Sequence, residues 1–182
     1  MPRLYLVRHG KATGGWDTDP DPGLDDVGQE QAEAMAAALM LQGPIPLLTS
    51  PLRRTRETAA AIERRWGIQA QVEPRVGEIP SPSTAPLQRV EWLKNVLQGR
   101  WPDMGASLEL WRNQVFKTLV EFTRDTVVVS HFVAINVAVG YAWNDDRVTC
   151  FRPENCSCTV LDVQDGNLRV VELGAEGASR II

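Results

Sequence analysis

Apolar positions along this chain fall into two rhythms. Short unbroken runs, RLYLVR over 3–8, PIPLLTS over 44–50 and DTVVVSH over 125–131, predict strands; the last is a continuous β-branched run of the kind that fills a buried parallel strand. IQAQVEPRV predicts a further strand ending near Glu78. Between these runs, apolar residues recur every three or four positions, which predicts helices over 27–42, 51–66, 86–98, 105–123 and 132–143. In the first helix, Gly28, Ala32, Met35, Ala36 and Leu39 share one face, and their small size suits close packing on a sheet. Ser50 and Pro51 stand where an N-cap and a first helical residue belong. CSCTVLDV and NLRVVEL flank the turn QDGN and predict a closing hairpin. The segments GKATGGWDTDPDPG and IPSPSTAP are rich in glycine, proline and aspartate and predict loops.

Strands alternating with helices predict an α/β fold with a mostly parallel central sheet and an antiparallel edge. No repeat or linker divides the chain, so residues 1–182 are expected to form a single domain.

Composition narrows the function. Hydrophobic residues make up 43% and charged ones 23%, as in ordinary globular proteins. The net charge of −4 argues against a nucleic-acid binder, though not against a small positive pocket for an anion. No apolar run is long enough to span a membrane, and the N-terminus lacks a signal-peptide pattern, which makes the cytoplasm the expected compartment. The 3 cysteines, Cys150, Cys156 and Cys158, fit reduced thiols better than a disulfide framework, and packing is the expected role of the latter pair. Nothing in the pattern specifies an oligomer.

The 2 histidines carry the chemistry. His9 and His131 each stand where a buried strand ends, and in an open α/β sheet ligands bind along that edge. Arg8 precedes His9, and Arg54 lies in the first turn of a helix that also follows a strand end. Arginine presents fixed donors that match phosphate oxygens, and helix N-termini favour an anion. Arg53 and Arg56 are expected on a solvated helix face, with Arg53 pairing Glu57.

In order along the chain, LVRHGKA, LDDVGQEQA, TSPLRRTRETA and VVVSHFVAIN resemble the histidine phosphatase superfamily, from Leu4 to about Val139. The resemblance implies the phosphoglycerate mutase-like fold, a three-layer α/β/α sandwich, with residues 79–124 as a helical segment covering the active-site edge. It implies that His9 is the nucleophile that becomes phosphorylated, that Arg8, Arg54 and His131 clamp the phosphoryl oxygens, and that Glu78 is the general acid. A protonated His131 and the arginines would then keep His9 neutral and nucleophilic. A backbone carbonyl holding one ring nitrogen would leave the other to attack. No metal or other cofactor is implied.

Two positions depart from the family pattern. Phe132 follows His131 where glycine is usual, as a pocket wall or a core aromatic. Glu78 leads into IPSPSTAP instead of Trp-Glu-Gly. Among the tryptophans, Trp92, Trp101 and Trp111 are expected to pack helices, Trp16 to wall the pocket, and Lys11 to add charge or stand exposed. The leading expectation is a metal-independent phosphomonoesterase acting on a small phosphorylated metabolite or a phosphoprotein. The alternatives are a phosphohistidine protein phosphatase, a phosphoglycerate-type mutase and a non-catalytic phospho-ligand module.

Overall fold

The computed structural model describes residues 1–15 and 17–181; the pocket-wall expectation for Trp16 lies outside them. The elements run β1 (Arg3–Arg8), α1 (Asp26–Leu39), β2 (Leu47–Thr49), α2 (Arg53–Trp66), β3 (Gln71–Val72), α3 (Pro86–Leu97), α4 (Ala106–Val120), β4 (Thr126–Ser130), α5 (Phe132–Trp143), β5 (Cys158–Gln164) and β6 (Asn167–Glu172). Single 3₁₀ turns occupy Pro74–Val76 and Trp101–Asp103.

The six strands form one sheet in the order β3-β2-β4-β1-β5-β6. β3, β2, β4 and β1 are mutually parallel, while β5 and β6 are antiparallel additions at the β1 side. Strand alternation divides the core into two layers. Leu4, Leu6 and Val128 point to one face, under α3, α4 and α5; Tyr5, Val7, Val127 and Val129 point to the other, under α1 and α2. The result is a three-layer α/β/α fold. Helix α1 buries the five residues its periodicity singles out, Gly28, Ala32, Met35, Ala36 and Leu39.

Register places the site. Arg8 stands opposite Ser130, and Thr49 opposite Val129, so β1, β4 and β2 end side by side. The residues that follow, His9, His131 and Ser50, therefore emerge along one edge.

Two expected elements differ in their bounds. Helix α2 starts at Arg53, with Leu52 as its N-cap and no side-chain cap. Ser50 is instead turned toward the sheet edge, although its Oγ still accepts a weak bond from Leu52 N at 3.4 Å. The third strand shrinks to two residues, because Pro74 has no N–H to extend the ladder and the chain enters a 3₁₀ turn.

Trp101 is fully buried beside Trp111, with ring centroids 6.1 Å apart, and Trp92 packs against the same cluster. These rings hold helices together, as expected. Cys156 and Cys158 pack against the α1–α2 layer, and burial pushes each thiol up to about 12. Among the described residues, no helix is long and apolar enough to cross a membrane.

Candidate active site

His9 is fixed by its main chain before its ring does anything. Its N–H donates to Ser130 O at 3.1 Å, and its carbonyl accepts from Asn155 Nδ2 at 3.0 Å. The next N–H, of Gly10, donates to Thr58 Oγ1 of α2 at 3.0 Å. A Cβ on Gly10 would stand 2.6 Å from the carbonyl oxygen of Gly28, so only glycine lets α1 approach this close. Sheet, α1 and α2 all grip the turn that carries the histidine.

The ring's tautomer follows from its neighbours. Nδ1 faces Gly10 O at 2.8 Å, an acceptor, so Nδ1 carries the proton. Nε2 is then bare and accepts from Arg54 Nε at 3.2 Å. Burial, followed by Arg54, His131 and Arg8, drives the His9 pKa well down, so the ring is neutral near pH 7. The backbone carbonyl expected to hold one nitrogen is that of Gly10.

Arg54 is the centre of the cluster. Its side chain is fully buried, and its NH2 donates to Glu78 Oε2 at 3.1 Å while lying 3.4 Å from His131 Nδ1. Its NH1 has no hydrogen-bond partner among the described residues, with Asp21 Oδ1 4.0 Å away. Glu78 sits just past the 3₁₀ turn, with Oε1 accepting from Ile79 N at 3.0 Å. Burial works to raise its pKa, but His131 and Arg54 outweigh it and hold the carboxyl at about 2. Glu78 is therefore ionised in the empty site.

His131 caps α5, its carbonyl accepting from Ile135 N at 3.0 Å. Its Nδ1 lies 3.2 Å from Glu78 Oε2, and its Nε2 lies 2.8 Å from Ser50 Oγ. Burial lowers its pKa more than Glu78 raises it. Burial thus works against the expected protonated His131 in the empty site, and in its neutral form the ring donates to Glu78 through Nδ1–H.

Arg8 is placed differently from its expected role as a phosphoryl clamp. Its guanidinium is buried and faces the C-terminal segment, with NH1 donating to Pro153 O at 2.8 Å and Ser179 Oγ at 2.7 Å, and NH2 to Arg180 O at 2.6 Å. It still adds positive charge near His9, and burial lowers its pKa only to about 10. Phe132 explains part of this orientation. Its ring is buried between two arginines, with Arg8 Cζ 5.4 Å and Arg152 Cζ 5.7 Å from the centroid, and it is absent from the cavity lining. Of its two expected roles, the structure supports the core aromatic.

His9 and Arg54 open onto a cavity of about 470 Å³ whose other walls include Lys11, Gly14, Asn155 and Ser179. Lys11 is exposed and pairs with Asp25 at 3.0 Å. From α3, Arg89 feels the charges of both Arg54 and Glu78.

His9, Glu78 and His131 also group tightly enough to be considered as metal ligands, with one donor atom each within 4.8 Å. Arg54 contradicts that use. Its guanidinium already lies 3.2, 3.1 and 3.4 Å from those three atoms, so a fixed cation stands where a metal ion would have to sit.

The profile of the histidine phosphatase superfamily (branch 1) matches residues 4–176. The chain belongs to this superfamily. Among its relatives, a probable phosphoglycerate mutase, GpmB, of Yersinia enterocolitica is 27% identical over 191 residues, covering 91% of this chain and 86% of that protein. In solved structures, the phosphoserine phosphatase of Entamoeba histolytica, in complex with 3-phosphoglyceric acid, superposes with a TM-score of 0.77 at 20% identity, covering 96% of this chain and 98% of that one. The mycobacterial glucosyl-3-phosphoglycerate phosphatase complexed with VO3 gives 0.76 at 21% identity, covering 97% and 100%. These likenesses confirm the phosphoglycerate mutase-like fold.

Ser50, Asn155 and Thr58 reach the cluster without having been singled out for it. Ser50 carried the right signal, since it ends a predicted strand just as the histidines do. Asn155 and Thr58 carried none, because their contacts cross 146 and 48 residues of sequence.

Proposed function

We propose that this superfamily member is a phosphatase that hydrolyses a phosphomonoester through a phosphohistidine on His9. The observation that carries this reading is the bare, neutral Nε2 of His9 facing the Arg54 guanidinium at 3.2 Å. In the reaction, Nε2 attacks phosphorus as the P–O bond to the leaving group breaks. Phosphoryl transfer has a loose transition state, so positioning and charge do most of the work. Arg54, whose NH1 has no hydrogen-bond partner among the described residues, and the Nδ1–H of His131 stabilise the equatorial oxygens. The incoming phosphate dianion raises the pKa of Glu78, which takes up a proton from solvent on substrate binding and then passes it to the leaving oxygen. In the second half, Glu78 takes a proton from the water that attacks phosphorus, the P–N bond breaks to return the lone pair to Nε2, and inorganic phosphate leaves.

Arg54 in the cation position supports a metal-independent reaction. Residues 79–124 are assigned as cover for this edge of the site, a reading supported by the proximity of Arg89 to Arg54 and Glu78. A cavity of about 470 Å³ suits a small phosphorylated metabolite. The neighbours named for phosphoserine and glucosyl-3-phosphoglycerate support the same class.

The test is hydrolysis of an aryl phosphate in excess EDTA by wild type and His9→Ala. Turnover that survives EDTA and disappears in the variant supports the proposal; turnover lost to EDTA, or equal in both, refutes it. The relatives named as probable phosphoglycerate mutases favour a second reading, transfer to an acceptor hydroxyl. Product analysis separates the two, since only the phosphatase releases inorganic phosphate stoichiometrically.

A further inference from the structure

We propose that Ser50 is a positioning residue, whose hydroxyl fixes the tautomer of His131 so that its Nδ1–H points at the phosphoryl site. The inference deepens the phosphoryl-transfer reading and rests on it. Ser50 Oγ lies 2.8 Å from His131 Nε2, while Glu78 Oε2 lies 3.2 Å from Nδ1 on the other side of the ring. The two contacts decide the protons together. Arg54 holds Glu78 as a carboxylate, and a carboxylate can only accept, which favours the hydrogen on Nδ1. In the neutral ring Nε2 is then a lone pair that accepts the Ser50 O–H, and this second contact completes the choice of tautomer. The hydroxyl oxygen keeps acceptor capacity for the Leu52 N–H at 3.4 Å. With the opposite tautomer, the bare Nδ1 would face the carboxylate oxygen at 3.2 Å, lone pair against lone pair, offset only by the longer 3.4 Å contact from Arg54 NH2.

Ser50 is built to hold this orientation. It is fully buried at the end of β2, and its N–H donates to Val129 O at 3.1 Å. Its carbonyl accepts from the hydroxyls of Thr49 at 3.1 Å and Thr55 at 2.9 Å. Both faces of the residue are thereby tied, one to β4 and one to α2. Serine, histidine and glutamate at these spacings also match the order of a hydrolase nucleophile relay. Ser50 is not that nucleophile, since its hydroxyl is buried behind the His131 ring, at the nitrogen away from Glu78.

The consequence for the reaction is a ready donor. When a phosphoryl group arrives, Nδ1–H can turn from Glu78 to a phosphoryl oxygen with no change of tautomer, while Glu78 is released to take a proton. Without the Ser50 hydroxyl, part of the population carries its hydrogen on Nε2 and presents a lone pair to an anion.

The chain has 2 histidines, so nitrogen-15 NMR of the imidazoles reads the proposal directly, with His9→Asn assigning the remaining ring. Wild type should show His131 protonated at Nδ1 and bare at Nε2; protonation at Nε2 would overturn the proposal. In Ser50→Ala the His131 signals should shift toward a mixed tautomer. For that variant kcat should fall roughly 10- to 100-fold while KM holds. Ser50→Cys, which keeps a weak donor, should recover part of the loss. Unchanged tautomer and kcat in a folded Ser50→Ala protein would also sink the idea. Should that variant not fold, the wild-type spectrum alone decides. An inactive wild type would refute the phosphatase reading instead, and the tautomer would still be legible.

Discussion

Arg54 Nε–H donates to His9 Nε2 across 3.2 Å, so the nitrogen assigned to attack is capped by a cation while the site is empty. The contact holds the lone pair in the direction of the anion site and lowers the basicity of the ring. Replacing Arg54 with alanine should therefore raise the His9 pKa and cut kcat/KM by about 10²–10³, the usual cost of a lost transition-state donor. Arg54→Lys should recover little, because a point charge cannot reach His9, Glu78 and a phosphoryl oxygen together. An NMR titration of His9 and steady-state kinetics check both.

Glu78→Gln removes the proposed acid and keeps its shape. Activity on an alkyl phosphate should fall by about 10²–10⁴, and much less on a nitrophenyl ester whose leaving group needs no proton. A comparison of the two substrates in one variant is the measurement, and an equal loss on both would contradict the assignment.

The buried titratable groups also predict how stability depends on pH. His9 and His131 have pKa values depressed below the ordinary 6.5, so the unfolded chain binds more protons than the folded one once pH falls through that value. Their contribution is complete above about pH 6.5 and is lost on acidification, each at up to about 1.4 kcal/mol per pH unit. Glu78, held at about 2 against an ordinary 4.5, adds a second loss below pH 4.5. Urea melts at pH 7.5, 6 and 5 should show falling stability, and His9→Asn should flatten the slope.

Arg8 is bonded to the C-terminal segment through Pro153, Ser179 and Arg180. Arg8→Met keeps an apolar stem against Phe132 and removes every donor. It should cost about 1–3 kcal/mol, the penalty for buried acceptors left unpaired. Hydrogen exchange should accelerate over residues 175–181 more than in β1, which a thermal melt and exchange mass spectrometry will show.

The strands, the helices and both histidines were legible because each rests on local rules. β1 and β4 are continuous apolar runs, and parallel ladders bring their ends to one edge, so His9 and His131 could be paired from sequence spacing alone. The setting of Arg8 was not legible for the opposite reason. Its partners at 153 and 179–180 lie far along the chain, and no periodic pattern announces where a terminal segment folds back. The local context of Ser50, a serine before Pro51, is that of a helix cap. Tertiary contact with His131 outcompetes that use. Burial, which works against a charged His131, is invisible in the sequence.

The turn that bears His9 is bonded to Ser130, Asn155 and Thr58, and it lies against Gly28 closely enough to exclude a methyl group. Four separate stretches of the chain thus meet at one short junction, and the strands it joins are the two innermost of the sheet. Such a junction cannot fray independently of the rest. The cooperative unit that holds the nucleophile is the same one that holds the sheet, so catalysis and global structure should vanish at a single temperature.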